Sequence, residues 1–135
     1  MRAFLLVFII VSLTSCGNIG DTVSDDQLNG RYYLTDVAGV SVSSAEEIVL
    51  EFNPIGNIVR GNTGCNDFSA NYHQDGRALE FTMPITTRKY CEGKMKTEGE
   101  ILSSFEEAVK FIRTGNDYIF LSSEDEQLIT LTKKN

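Results

Sequence analysis

The sequence predicts an α+β domain in which one amphipathic helix packs against a mainly antiparallel sheet. Three observations lead to this fold class: several short segments rich in aromatic and β-branched residues, connections of hairpin length between them, and one segment with helical periodicity. Short connections join neighbouring strands in opposite directions, and a lone amphipathic helix must bury its apolar stripe against a sheet. The 135 residues are enough for one such domain.

The strand candidates are recognised by alternation of apolar and polar residues. In the segment Glu46–Phe52, three apolar residues fall on one face: Ile48, Leu50 and Phe52. Asp75-Gly76 suits the positive φ angles of a tight hairpin turn. The other candidates are Arg31–Val37, Asn57–Arg60, Phe68–His73, Ala78–Met83, Asp117–Leu121 and Gln127–Thr132.

The helix candidate starts at a capping box. Thr97 and Glu100 have the spacing at which each side chain can satisfy a free backbone amide. Lys110 and Arg113 would complement the helix dipole in the last turn, and Gly115 is placed to end the helix. The apolar stripe that predicts the helix consists of Ile101, Leu102, Phe105, Ala108, Val109 and Ile112.

The charge balance argues against nucleic acid as the main partner. Twelve basic residues against nineteen acidic ones give a formal charge of −7. Nucleic-acid binding needs a clustered basic face that would have to overcome this negative field.

The N-terminus has the pattern of an export signal. Residues 1–15 combine a positive start with an apolar run, Ala3–Leu13, that is too short to span a membrane. Leu13-Thr14-Ser15-Cys16 resembles the lipobox of bacterial lipoprotein precursors, which implies cleavage before Cys16 and lipidation of its sulfur. Acyl chains on Cys16 would hold the protein on a membrane.

These patterns divide the chain into three parts. We expect a signal peptide at 1–15, the lipidated cysteine with a flexible tether at 16–27, and the folded domain at 28–135. The expected location is the bacterial cell envelope. Gly17, directly after the lipidated cysteine, favours the outer membrane with the domain facing the periplasm, because it lacks the Asp signal for inner-membrane retention.

Two cysteines remain once Cys16 carries lipid. In an exported chain Cys65 and Cys91 most simply pair as a disulfide. A zinc site formed with His73 and a carboxylate is an alternative, although no Cys-x-x-Cys or His-x-x-x-His spacing supports it. A cysteine nucleophile with His73 as its base is another, although no third orienting group can be named. A surface position is the simplest interpretation of His73.

The segment Arg60–Tyr72 is rich in glycine and asparagine, which suggests positive φ angles or a close backbone approach. It lacks the Lys-Ser/Thr pair and the following helix of a phosphate loop. Two interpretations are open, a polar ligand loop and a structural corner held by Cys65. We favour the structural corner.

A spaced set of residues extends through the domain: Gly64-Cys65-Asn66, Phe68, Tyr72, Thr87, Cys91, Met95 and Glu98. This set resembles the META domain family, which includes HslJ-like heat-shock lipoproteins of bacteria, over about Leu28–Leu131. Leu28-Asn29-Gly30 matches the family's opening motif, with Tyr32 or Tyr33 in place of its usual Trp. The resemblance implies a small antiparallel barrel-like or cracked sheet with one packed helix, in an envelope protein. It also implies links to heat shock and novobiocin tolerance, and it supplies no catalytic residues.

The sequence therefore favours a non-catalytic envelope module for stress response or interaction, with no cofactor and no metal. The alternative is a binding module for a small or lipidic ligand held between helix and sheet. Catalysis is disfavoured because the sequence shows no acid/base pair, nucleophile elbow or metal-ligand spacing. The adjacent carboxylates Glu46-Glu47 and Glu106-Glu107 would point apart on a strand or helix. The expected partners are the membrane, through Cys16, and an unknown envelope protein or small ligand.

Overall fold

The computed structural model describes residues 26–43 and 47–133. The signal peptide, Cys16 and the tether up to residue 25 lie outside the described residues, as does Glu46. The helix α1 spans Met95–Glu107. The strands are β1 (Gly30–Val37), β2 (Val40–Ser41), β3 (Val49–Asn53), β4 (Ile58–Asn62), β5 (Asp67–Asp75), β6 (Ala78–Phe81), β7 (Ile85–Thr86), β8 (Lys110–Thr114), β9 (Asp117–Leu121) and β10 (Gln127–Lys133).

The strands form one antiparallel sheet that closes on itself. Its order is β10-β9-β8-β6-β5-β4-β3-β1, and β1 also pairs with β10. β2 pairs with β1, and β7 extends the β6 side of β5. The ring is irregular at one seam, because β6 and β8 pair at one register position, Ala78↔Lys110. The predicted α+β class with a barrel-like antiparallel sheet is confirmed.

The ring has two ends, which we name after residues found there. At the Asp26 end, Arg77 in the β5–β6 turn lies 2.9 Å from the Asp26 carboxylate, and Arg113 of β8 lies 3.2 Å from it. At the Cys65 end, β4 passes into β5 through the turn Thr63–Asn66. The nine residues of β5 connect the two ends over roughly 30 Å.

Asp26 belongs to the segment 16–27 that the sequence predicts as a tether. The hydrogen bond from Arg77 holds the pKa of the Asp26 carboxyl below its ordinary value, and Arg113 acts in the same direction, although burial opposes both. The carbonyl of Asp26 also accepts a hydrogen bond from Gln74 at 3.1 Å. These contacts fix the point at which the preceding chain leaves the domain.

Aromatic side chains fill the interior of the ring. Tyr32 is fully buried and lies edge-on to Phe52 and Tyr118, with ring centroids 5.5 and 5.1 Å away. Tyr33 is half-buried, so Tyr32 is the one of the two tyrosines that packs in the interior of the ring. Phe105 of α1 closes the interior at the Cys65 end by packing against Phe68, Phe81 and Phe120.

The helix is shorter than predicted at its C-terminal end. It ends at Glu107, and Ala108 already has the extended angles φ −69° and ψ 122°. The amide of Val109 donates to the carbonyl of Leu121, so the chain joins the sheet where the apolar periodicity predicts another helical turn. Lys110, Ile112 and Arg113 lie in β8. Pairing with β9 satisfies their backbone groups and outweighs the local helical pattern.

The predicted capping box is also wrong. The helix begins at Met95, with Lys94 as the N-cap residue and no side-chain hydrogen bond to the cap. Thr97 therefore lies inside the first turn. Glu98 is the acidic residue of that turn, and it is buried.

The remaining strand predictions differ from the structure by a few residues. The face of Ile48, Leu50 and Phe52 is buried as predicted. The tight turn lies one residue later than predicted, because Asp75 pairs with Ala78 and the two loop residues are Gly76 and Arg77. The sequence did not indicate β2 and β7, which have two residues each.

Gly61 tests the packing of β4 against its neighbours. A Cβ at Gly61 would lie 2.5 Å from a Leu50 methyl and 2.8 Å from the carbonyl oxygen of Val49. We expect Gly61→Ala to lower the free energy of unfolding by about 2–4 kcal/mol in urea denaturation. Gly99→Ala is the matched control. Gly99 lies in the helix, and no atom lies within 4 Å of a Cβ added there. We expect Gly99→Ala to raise the free energy of unfolding by about 0.5–1 kcal/mol, because alanine favours the helix more than glycine does. Equal effects of both variants would contradict the packing argument.

Alkaline pH tests the buried tyrosines. Burial raises the pKa of Tyr72 to about 12 and raises those of Tyr32 and Tyr118 above 10. Their contribution to stability is complete below pH 10. As pH rises from 10 to about 12, unfolded Tyr72 loses its proton before the folded residue does, so Tyr72 lowers the unfolding free energy by up to ~1.4 kcal/mol per pH unit. Tyr32 and Tyr118 act in the same direction. In urea titrations from pH 8 to 11.5, we expect a shallower decline in Tyr72→Phe. An equally steep decline would contradict this assignment.

Candidate functional site: the Cys65 corner and the loop it holds

The corner between β4 and β5 is a tight turn. The amide of Thr63 donates to the carbonyl of Asn66 at 2.8 Å, and the amide of Gly64 donates to the side chain of Asn62 at 2.7 Å. Gly64 has φ +90°, a region that favours glycine. In the Gly-Cys-Asn motif, Gly64 therefore allows the turn. The side chains of Cys65 and Asn66 point into the structure, where both are buried.

Asn66 is the centre of the corner and is 1% exposed. Its Oδ1 accepts hydrogen bonds from the Thr87 hydroxyl at 2.8 Å and the Lys89 amide at 2.7 Å. Its Nδ2 donates to the Lys89 carbonyl at 3.0 Å and to the Glu98 carboxylate at 2.9 Å. One side chain thus joins the β4–β5 turn to the segment after β7 and to the helix.

Glu98 is the residue of this site whose role the sequence analysis missed. Its carboxylate accepts a hydrogen bond from the Thr63 hydroxyl at 2.5 Å as well as those from Asn66. Glu98, Ile101 and Phe105 share the buried face of α1. An acidic residue in register with the apolar stripe was the signal that could have identified it.

The disulfide Cys65–Cys91 closes the same corner, with Cα atoms 5.9 Å apart. Cys91 precedes the helix, and its amide contacts the Met95 sulfur at 3.5 Å. The carbonyl of Gly64 accepts a hydrogen bond from the Lys94 ammonium at 3.3 Å. The motif residues Gly64, Cys65, Asn66, Thr87 and Cys91 are therefore brought together in one place.

The structure uses both cysteines in the disulfide, so neither is a free thiolate for zinc or for nucleophilic attack. In the part of the chain that the structure describes, no three His, Cys, Asp or Glu side chains are grouped as metal ligands. His73 is exposed on β5 and belongs to no such group. Glu47, Glu106 and Glu107 are exposed as well.

The polar side chains of the Cys65 corner bind one another and hold neighbouring segments of the fold together. Across residues 26–43 and 47–133, no buried side-chain nitrogen or oxygen lacks a hydrogen-bond partner. The amide of Asn66 and the carboxylate of Glu98 are engaged with one another and with the turn, as described above. This supports the structural interpretation of Arg60–Tyr72 over the ligand-loop interpretation.

A second feature is the exposed segment, residues 82–96, which the corner holds at Thr87, Lys89 and Cys91. Large apolar side chains on it face solvent: Met83 is 76% exposed, Ile85 77% and Tyr90 81%. The segment also contains four basic residues and one acidic residue, Arg88, Lys89, Lys94 and Lys96 with Glu92. It is therefore both apolar and positively charged, with a net charge of +3 in a chain of −7.

The space between helix and sheet contains aromatic side chains, since Phe105 packs on Phe68, Phe81 and Phe120. A groove of about 240 Å³ lies outside this core, where Thr97 and Glu100 of α1 face residues 40–43. It is open to solvent and has polar as well as apolar walls. No helix in residues 26–43 and 47–133 has the length and apolar character needed to cross a membrane.

Comparisons with known proteins agree with this architecture. One similar solved structure, determined by NMR, has 20% sequence identity and a TM-score of 0.62, and the match covers 78% of this chain and 89% of that chain. A second NMR structure, of a protein from Burkholderia xenovorans, has 20% identity and a TM-score of 0.63, with 80% of this chain and 84% of that chain covered. The third is a DUF4847 family protein from Bacteroides vulgatus with 11% identity and a TM-score of 0.61, with 79% of this chain and 94% of that chain covered. At these identities the likeness concerns the fold. No curated protein sequence matches the chain.

The family profile of the META domain matches residues 25–135. This range includes the Gly-Cys-Asn corner, the disulfide, Glu98 and the complete ring of strands. The chain belongs to the META domain family.

Proposed function

We propose that this META protein is a lipid-anchored, non-catalytic module of the bacterial envelope that acts by binding a partner during stress. Its family membership supports an envelope module without catalytic residues. The observation that carries the proposal is the contrast between the Cys65 corner and the exposed segment. The polar groups of the corner are engaged internally, whereas the exposed segment presents Met83, Ile85 and Tyr90 to solvent.

The proposed location rests on the N-terminal sequence. Leu13-Thr14-Ser15-Cys16 follows an apolar signal core, and Gly17 favours transfer to the outer membrane with the domain facing the periplasm. Two or more acyl chains on Cys16 would give stable anchoring, because each buried methylene contributes ~0.8 kcal/mol. Links to heat shock and novobiocin tolerance come from the resemblance to HslJ-like members of the family.

The decisive experiment is the intact mass of the protein expressed with its own N-terminus in a bacterial host. We expect a chain that starts at Cys16 and carries acyl groups, with two alkylation sites that appear after reduction. A chain that retains residues 1–15, or one cleaved elsewhere without lipid, would overturn the anchoring proposal. Survival after heat or novobiocin, compared between a deletion strain and one complemented with Cys16→Ala, tests the stress role separately.

An enclosed ligand site has less support. The interior between α1 and the sheet is filled by aromatic rings, and the groove beside Thr97 and Glu100 is open. A ligand held between helix and sheet would need an apolar space larger than side-chain packing leaves. We therefore place the binding function on the outer surface.

A further inference from the structure

An open sheet edge runs along the end of β6 and continues at β7 into the exposed segment. The amide of Leu79 donates to the Val109 carbonyl, but β6 has no register partner in β8 beyond Ala78↔Lys110. On the other side, the Thr82 amide donates to β5. Alternation along β6 therefore points the amide of Phe81 away from β5. The Thr87 amide donates to the Asp67 carbonyl of β5, so the preceding amide of Thr86 in β7 also points away from β5. No strand of the described chain pairs with β6 or β7 on that side at these two residues. Such an edge is a template for an added strand.

The side chains beside this edge define what can bind. Met83 and Ile85 offer apolar contacts, and Arg88 and Lys89 follow directly in the chain and are exposed. The net charge of the exposed segment is +3, and that of the whole chain is −7. The rest of the chain therefore has a net charge of −10, which is opposite in sign to the exposed segment. An acidic partner is attracted to the exposed segment and repelled by the remaining surface.

The edge is also held in a fixed geometry. The disulfide at Cys91 and the hydrogen bonds from Asn66 to Thr87 and Lys89 fix the chain directly after β7. A preorganised backbone edge loses little conformational entropy when a strand is added. The Cys65 corner thus positions the surface that would bind.

The position of the tether argues against the anchoring membrane as the occupant. The chain leaves the domain at Asp26, and the exposed segment lies at the Cys65 end, roughly 30 Å along β5. The tether predicted from the sequence has ten residues from Cys16 to residue 25, and a flexible chain of that length would span roughly 17–19 Å. Under the anchoring proposed above, the exposed segment lies at the end of the domain opposite the attachment point. Like charge also disfavours a second copy bound through the same segment.

We propose that an extended acidic segment of another envelope protein adds as a strand to the open edge of β6 and β7. Its backbone would pair with the amides of Phe81 and Thr86, which point away from β5. Its apolar side chains would contact Ile85, and its carboxylates would meet Arg88 and Lys89. This inference rests on the proposed binding function and specifies the chemistry of the partner.

The chain contains no Trp, so one introduced Trp is a unique fluorescent reporter. We would compare Ile85→Trp with Ile55→Trp in the full chain, purified in a neutral maltoside detergent. Ile55 is 96% exposed in the β3–β4 turn, at the opposite end of β4 from the corner. The probe is a synthetic eight-residue peptide of alternating Glu and Val. We expect a saturable change in emission for Ile85→Trp and none for Ile55→Trp.

Two further comparisons separate strand addition from charge alone. Methylation of alternate backbone nitrogens on the peptide should abolish binding, because it removes the hydrogen bonds of one strand edge. Arg88→Glu should weaken binding about three- to tenfold, and more at low salt than at high salt. Arg31→Glu, an exposed charge reversal on β1, should leave the affinity unchanged.

Three results would overturn the inference: no saturable change in the Ile85→Trp chain, equal binding of a Lys-Val peptide, or equal binding of the methylated peptide. Vesicles of phosphatidylglycerol that bind through Arg88 when the peptide does not would replace the protein partner with a membrane surface. The peptide titration does not depend on lipid at Cys16. Failure of the anchoring proposal would therefore appear in the intact mass, and failure of this inference in the titration.

Discussion

Asn66→Asp is expected to lower the free energy of unfolding at pH 7 by about 3–5 kcal/mol. The substitution keeps the shape of the side chain and replaces the Nδ2 donor, 2.9 Å from the Glu98 carboxylate, with a second carboxylate oxygen. Two buried carboxylates would then face each other, and the Lys89 carbonyl would lose its donor. Urea denaturation followed by circular dichroism measures the loss.

The loss should depend on pH in a defined direction. The neighbouring carboxylate of Glu98 would raise the pKa of the introduced carboxyl, and its protonation at lower pH would restore a donor between the two. The difference between Asn66→Asp and the parent chain should therefore shrink as the pH falls from 7 towards 4. A constant difference would mean that lost packing, rather than charge, causes the destabilisation.

Asn62 provides the matched control. Its Nδ2 donates to the Asp67 carboxylate at 2.7 Å, the same type of contact, but this pair is exposed. We expect Asn62→Asp to lower the unfolding free energy by less than ~1 kcal/mol, because water screens the two charges. Equal losses at Asn62 and Asn66 would contradict the view that the buried corner is a principal joint of the fold.

The sequence predicted the strands that have strong alternation and the short connections between them. It failed where tertiary pairing competes with local periodicity. The stripe from Ile101 to Ile112 continues at helical spacing, yet β9 offers a strand partner and the chain leaves the helix at Glu107. A single sequence does not show which partner strand is near, so the end of the helix could not be found from the pattern.

The prediction of the site was incomplete for the same reason. Cys65, Asn66 and Cys91 could be singled out from residue types and from the family resemblance, and the structure joins them. The hydrogen bonds of Asn66 connect segments 21, 23 and 32 residues away, to Thr87, Lys89 and Glu98. Such contacts form only when the sheet closes into a ring, so they cannot be predicted from the spacing of residues along the sequence. The exposure of Ile85 likewise depends on the missing neighbour of β7.

Removal of the disulfide is the second large effect that the structure predicts. Cys65→Ala with Cys91→Ala should lower the free energy of unfolding by about 3–4 kcal/mol, because the bond closes a loop with a sequence separation of 26 residues. Buried Cys65 adds a smaller packing loss. Urea denaturation of the double variant, compared with the oxidised and reduced parent chain, measures this contribution. The reduced parent should behave like the double variant, and an unchanged midpoint would contradict the prediction.

The same double variant distinguishes a role in stability from a role in presenting the exposed segment. If the disulfide holds that segment, hydrogen exchange should accelerate at the Lys89 amide, which Asn66 holds, while the Ile119 amide in β9 remains protected under native conditions. Loss of peptide binding by a folded double variant would then result from a loosened edge. Equal acceleration of exchange at both amides would instead show that the disulfide stabilises the whole fold. The position of the open edge of β6 and β7 would then be held by the hydrogen bonds of Asn66 alone.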